Sequence, residues 1–245
     1  MEGTQSRKAF EVLAGIANPH MAEAAALFEQ KRRSNRQPHG LWRELVYCIL
    51  AGSQVKFELA RKATSELLRR IKPDDSPASF AAGAAGERVL EIAQILKSAG
   101  YRYHTRKADA LRSAAEAVVK GPNDWIEQLV ASEPTRAERI LVSEVNGVGK
   151  KIANHWLRNA GADTCTVDLH LARLFHELGL VHVQKLSSLK KDEFRKGVDL
   201  IRGLATQMGS PLADTQYALW LGAKSLGPDD YARYRGGVRS TAGLT

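Results

Sequence analysis

The residues with the most chemistry in them are Lys151 and Asp168, seventeen positions apart in ERILVSEVNGVGKKIANHWLRNAGADTCTVDLHLARLFHELGLV, residues 138–181. Lys151 falls in the first turn of a predicted helix whose inward positions are Ile152, Ala153, Trp156 and Leu157. A helix dipole disfavours a cation at its N-terminus by a few tenths to about 1 kcal/mol. That destabilisation favours the neutral amine, the form that can attack an electrophilic carbon. Taken alone, Lys151 reads better as a phosphate contact or a solvated side chain than as a nucleophile. Asp168, in Thr166-Val167-Asp168-Leu169-His170, stands just before a second predicted helix. Its type suits an N-cap, which is a sufficient structural reason for it, and a carboxylate at a helix mouth can also face a cleft.

The elements that must position this pair are a helical hairpin and the helix after it. A segment carrying Ile140, Leu141 and Val145 leads into Gly147-Val148-Gly149, and the Lys151 helix follows at once. The two glycines permit a tight turn with unusual backbone angles. The first amides of the second helix then point outward at the positive end of its dipole, where a phosphate fits, and Lys150 adds charge. Such contacts grip a nucleic-acid backbone without reading its sequence. An ordinary hairpin with a Gly-rich turn would show the glycines alone. Apolar, GVG, two lysines, apolar-Ala, then aromatic-Leu is a more specific pattern, and it resembles the helix-hairpin-helix motif.

Composition agrees with a polyanionic partner. The 245 residues include 36 Lys and Arg against 27 Asp and Glu, a formal net charge of +9. That excess suits nucleic acid, an acidic membrane face or a plain basic surface. The two cysteines, Cys48 and Cys165, exclude a disulfide scaffold, a four-Cys zinc site and an all-Cys iron–sulfur cluster. HELGLVH at 176–182 lacks the spacing of a zinc-binding H-E-x-x-H, because Leu180 stands four residues after His176. No apolar run reaches membrane-spanning length, and the N-terminus lacks the layout of a signal peptide. A cytoplasmic, nucleoid-associated protein is expected.

Apolar periodicity is helical almost throughout and strand alternation is absent, so the fold class is all-α. QKRRSNRQPHG at 30–40 reads as a solvated loop, KPDDSP at 72–77 as a break, and the tail GPDDYARYRGGVRSTAGLT at 227–245 as loose.

The hairpin, the lysine beyond it and the V-D-x-H aspartate together resemble the helix-hairpin-helix DNA glycosylase superfamily. In its bifunctional members the lysine is the nucleophile and the aspartate its partner, which maps those roles onto Lys151 and Asp168. Absence of the four-cysteine cluster sets aside the iron–sulfur branch. HWLRNAG at 155–161, AGYRYHTRKADAL at 99–111 and LVYCILAGSQVKFELARKAT at 45–64 are similar to segments of the compact archaeal and bacterial 8-oxoguanine DNA glycosylase/AP lyases. Two departures stand out: Asn146 replaces the usual proline before GVG, and the chain runs about twenty residues past Lys224. The larger enzymes of the superfamily place a Gln and an aromatic one turn apart in their last helix, which maps the base pocket onto Gln216 and Trp220, with Tyr103 beside them. Outside that resemblance, Trp220 reads as core and Gln216 as surface.

The resemblance implies two helical subdomains with a cleft between them: residues 38–162 as a barrel with the hairpin at 137–160, and residues 1–37 with 163–245. It implies removal of 8-oxoguanine, or a related oxidised purine, from duplex DNA through a lysine Schiff base and β-elimination. Gly147, Gly149, Lys150, Gln54, Arg102 and His170 are the expected DNA contacts, and Gln54 fills the space a flipped nucleotide leaves. No catalytic metal or redox cofactor is expected, although a monovalent cation can sit on the hairpin carbonyls. The expected partner is DNA, bound by a monomer, and no membrane. Two alternatives remain open: the same chemistry on another damaged or modified base, and a DNA-binding module of this fold without chemistry.

Overall fold

The structure, a computed structural model, describes residues 2–37, 39–52, 55–71, 74–186 and 189–239. The elements run α1 (Glu2–Ala17), a 3-10 turn (Asn18–His20), α2 (Met21–Asn35), α3 (Gly40–Ala51), α4 (Phe57–Arg70) and α5 (Pro77–Ala81). They continue with α6 (Ala85–Ser98), α7 (His104–Lys120), α8 (Trp125–Ala131), α9 (Pro134–Glu144) and α10 (Lys150–Ala160). The last are α11 (Leu169–Glu177), α12 (Lys191–Met208), α13 (Leu212–Ser225) and α14 (Pro228–Arg239). Among the described residues there is no strand, so the class is all-α. No helix among them is long and apolar enough to cross a membrane.

Two compact units divide the chain, Lys31–Ala162 on one side and Met1–Gln30 with Asp163–Thr245 on the other. The first has α3 at its centre. Its Trp42, Leu45, Val46, Ile49 and Leu50 are all buried, and α4, α7 and α10 pack around it. Removing such side chains from water is worth about 1.5–3 kcal/mol each. Trp42 meets Phe80 of α5 edge-on at 5.2 Å. In the second unit α1, α12 and α13 enclose Leu13, Leu171, Phe175, Ile201, Leu204 and Leu219.

The first boundary falls at 30/31, not at 37/38; a partly buried polar network joins the end of α2 to the first unit. Lys31 Nζ pairs with Glu44 Oε1 at 2.7 Å, and the same oxygen accepts a hydrogen bond from Asn159 Nδ2 at 2.5 Å. Asn35 Nδ2 donates to the Asn159 carbonyl at 3.0 Å, and Arg158 donates twice to Asn159 Oδ1. The Arg-Asn pair of HWLRNAG is therefore structural: it ties α10 to α3 and to the end of α2. It also corrects the loop expected at 30–40. Helix α2 runs on through Asn35, because Lys31 and Asn35 on its inner side find partners on α3 and α10, while Arg32 and Arg33 stay exposed.

The tail is a second correction. Instead of being loose, residues 228–239 form α14. Pro228 and the acidic Asp229 and Asp230 make a favourable first turn. The Gly227 amide donates to Asp230 Oδ2 at 3.0 Å, Tyr231 and Val238 are buried, and Arg235 is bonded to the Glu177 carboxylate and carbonyl.

Candidate active site

The hairpin forms as its sequence predicts, but its two glycines do different work. Gly147 has φ +77°, a left-handed conformation that L side chains resist, and an added Cβ would lie 3.1 Å from Ala110 Cβ. Gly149 is extended, at φ −101° and ψ 175°, which any residue can adopt. The expectation of unusual angles at both positions is thus corrected to Gly147 alone. What Gly149 supplies is bareness: nothing lies within 4 Å of a Cβ placed there, so another molecule can approach the backbone closely. The Asn146 amide donates to Ser113 Oγ at 2.8 Å and fixes the turn to α7.

Helix α10 begins without a side-chain cap. Its first bond runs from the Ala153 amide to the Gly149 carbonyl at 3.0 Å. Among the described residues, the amides of Lys150, Lys151 and Ile152 have no backbone partner, and the carbonyls of Asn146, Gly147 and Val148 accept no backbone bond. Uncapped amides at the positive end of a helix form an anion site. Lys150 is partly occupied, its Nζ 3.4 Å from Oε1 of the partly buried Glu138, but its own side chain is exposed and can turn to a phosphate. Lys151 is exposed, with no hydrogen bond or ion pair among the described residues.

Beneath the hairpin lies a residue that the sequence reading passed over. Lys107 of α7 is 1% exposed and its Nζ has no hydrogen-bond partner among the described residues. Burial, and then the charges of Arg106 and Lys151, push this amine down from 10.5 to about 8. A Cβ added to Gly52 would lie 3.2 Å from Lys107 Nζ and 2.9 Å from Ile152 Cδ1, so the amine sits against the start of α10. A signal was present, since Lys107 falls on the stripe of Ala108, Leu111, Ala114 and Ala115, all buried. On the same unit, the Arg102 guanidinium lies over the Tyr103 ring, 4.6 Å from its centroid, in the turn leading into α7. Gln54 lies outside the described residues.

Asp168 is the N-cap of α11, as its type suggested. Its Oδ1 accepts the amides of His170 at 3.0 Å and Leu171 at 3.2 Å. Its Oδ2 accepts the indole Nε1–H of Trp220 at 2.8 Å. The Trp220 ring stacks on Tyr217 at 5.5 Å, meets His170 edge-on at 5.9 Å and lies under Lys224 Nζ at 5.2 Å. Trp220 is half-buried, whereas Gln216 is 2% exposed, the reverse of a core Trp with a surface Gln. Among the described residues, no three His, Cys, Asp or Glu side chains are grouped to hold a metal ion, and Cys48 and Cys165 are buried thiols outside any disulfide.

The chain is similar to 8-oxoguanine DNA glycosylases over most of its length. The 8-oxoguanine DNA glycosylase/AP lyase of Sulfolobus acidocaldarius is 29% identical over 177 residues, 71% of this chain and 78% of that one. Its counterpart in Saccharolobus solfataricus is 26% identical over 208 residues, 84% of this chain and 93% of that one. The crystal structure of the 8-oxoguanine DNA glycosylase of Thermotoga maritima matches with a TM-score of 0.68 at 22% identity, covering 88% of this chain and 95% of that one. The Methanocaldococcus jannaschii 8-oxoguanine glycosylase/lyase, in complex with a 15mer DNA containing 8-oxoguanine, matches with a TM-score of 0.64 at 19% identity, over 86% and 95%. A family model described as 8-oxoguanine DNA glycosylase covers residues 22–209, and with three-quarters of its length so matched the chain belongs to that family.

Proposed function

We propose that this protein is a bifunctional DNA glycosylase/AP lyase that removes 8-oxoguanine, or a closely related oxidised purine, from duplex DNA. The observation that carries the reading is Lys151: an exposed amine, without a partner among the described residues, on the uncapped first turn of a helix that opens from a bare Gly149. The free amides there hold a DNA phosphate, and Lys150 adds charge. The damaged nucleotide leaves the stack at a cost of a few kcal/mol. Lys151 Nζ attacks C1′, the N-glycosidic bond breaks, and the base departs with its bonding electrons. Asp168 stabilises the positive charge that develops on the sugar and takes up the amine's proton. The nitrogen lone pair then opens the sugar ring: the C1′–O4′ bond breaks, O4′ takes up a proton, and C1′ becomes a Schiff base. That Schiff base makes C2′–H acidic, so β-elimination breaks the C3′–O bond and nicks the strand.

Gln216 and Trp220 recognise the base, with Tyr103; Gln54, Arg102 and His170 contact the strand. The Asn146, Gly147 and Val148 carbonyls would hold a monovalent cation, which would add positive charge beside the phosphate. The protein acts as a monomer on the nucleoid, in the cytoplasm. The test is a duplex with one 8-oxoguanine, run beside duplexes bearing an oxidised pyrimidine, an alkylated purine or no lesion. Base release with nicking of the first alone is expected. Release from another lesion only would reassign the base, and binding without release would leave a DNA-binding module.

A further inference from the structure

We propose that Trp220 is a positioning residue for Asp168, a role that rests on the glycosylase reading above and is separate from any stacking on a base. An ionised carboxylate has about four acceptor sites. Two on Oδ1 are filled by the His170 and Leu171 amides. With only that oxygen held, the group can still pivot about it. The Trp220 indole stops the pivot, because its Nε1–H takes one site on Oδ2 at 2.8 Å. Indole nitrogen is a donor and never an acceptor, so the bond fixes which edge of the ring faces the carboxylate. One acceptor site then remains on Asp168, with a set direction, for the sugar cation or the amine proton.

The indole is itself held. Tyr217 stands three residues before it and Lys224 four after, so both lie along its stripe of α13, and His170 abuts it edge-on. Asp168 is thereby tied to a helix that begins more than forty residues later. The tie uses the one polar atom of Trp220, which makes it separable: Trp220→Phe keeps an aromatic ring and deletes the donor.

Two measurements decide the proposal. In single-turnover base release from 8-oxoguanine duplex, Trp220→Phe should lower the rate constant roughly tenfold to a hundredfold, the scale of one hydrogen bond to a charged group. Its Kd for the same duplex should stay within about twofold, since the ring remains. In the free protein, the indole N–H resonance missing from Trp220→Phe should be the one, of four tryptophans, that moves in Asp168→Ala. An unchanged rate constant with weakened binding would overturn the positioning role and leave a stacking residue. An indole resonance indifferent to Asp168→Ala would overturn the bond itself. Wild-type protein that releases no base would refute the glycosylase reading, whatever the resonance does.

Discussion

Two helix N-termini, one in each unit, are built in opposite ways. Helix α10 has no side-chain cap, opens from a glycine, and gathers Lys150, Lys151 and the buried Lys107 around it. Helix α11 carries its own anion: the Asp168 side chain caps it and is saturated on Oδ1. The first end has free amides and positive charge that Glu138 offsets only at Lys150, so it is prepared for an anion from outside. The second is electrostatically complete and has one oriented acceptor site left. A glycosylase that grips a phosphate and stabilises a sugar cation needs one of each.

The largest effects should come from Asp168. Asp168→Asn should slow base release by at least about a hundredfold, since it removes the charge that faces the developing cation. Asn is ordinarily as good an N-cap as Asp. Here its oxygen must serve the α11 amides, which turns its NH2 toward the Trp220 N–H, donor against donor. A stability loss of about 1 kcal/mol is therefore expected, measurable by urea unfolding, and it should shrink in the Trp220→Phe background. Equal losses in both backgrounds would mean that α11 is capped no differently from an ordinary helix.

At the other end, Lys107→Met should stabilise the protein by roughly 2–3 kcal/mol at neutral pH. The unfolded chain holds this proton up to 10.5 and the folded chain only to about 8, so wild-type stability rises between those values as pH increases. The advantage of the Met variant should be full below pH 8 and gone above 10.5. A difference that ignores pH would remove Lys107 from the unneutralised charge around α10.

The smallest effects separate the hairpin glycines. Gly147→Ala should cost about 1–2 kcal/mol, because it forces a Cβ into a left-handed turn against Ala110. Gly149→Ala should leave stability within about 0.5 kcal/mol, since its backbone is extended and the space above it is open. Its cost should appear instead as weaker binding to duplex DNA, read by titration at fixed salt. Stability loss at Gly149 with normal binding would reverse the assignment.

Much of this was legible in the chain. GVG followed by two lysines marks the hairpin, and Asp168 before an apolar stripe marks a cap, because both are local patterns of a few residues. The helices from α6 to α13 follow their apolar periodicity for the same reason. Three features were not legible, each because it depends on a distant partner. Lys31 and Asn35, inside the basic run, read as solvated until Glu44 and Asn159 are placed beside them. The tail reads as loose until Tyr231 finds a core and Arg235 finds Glu177. The Trp220–Asp168 bond joins residues on different helices, and neither residue type predicts the other.

The central claim is that Lys151 is the nucleophile, and a neighbouring amine makes the test sharp. Protein incubated with 8-oxoguanine duplex and borohydride should form a covalent adduct, and peptide mapping should place the reduced linkage on Lys151. Lys151→Ala should lose trapping while its affinity for the duplex stays within a few-fold. An adduct that maps to Lys107, or trapping that persists in Lys151→Ala, would contradict the account.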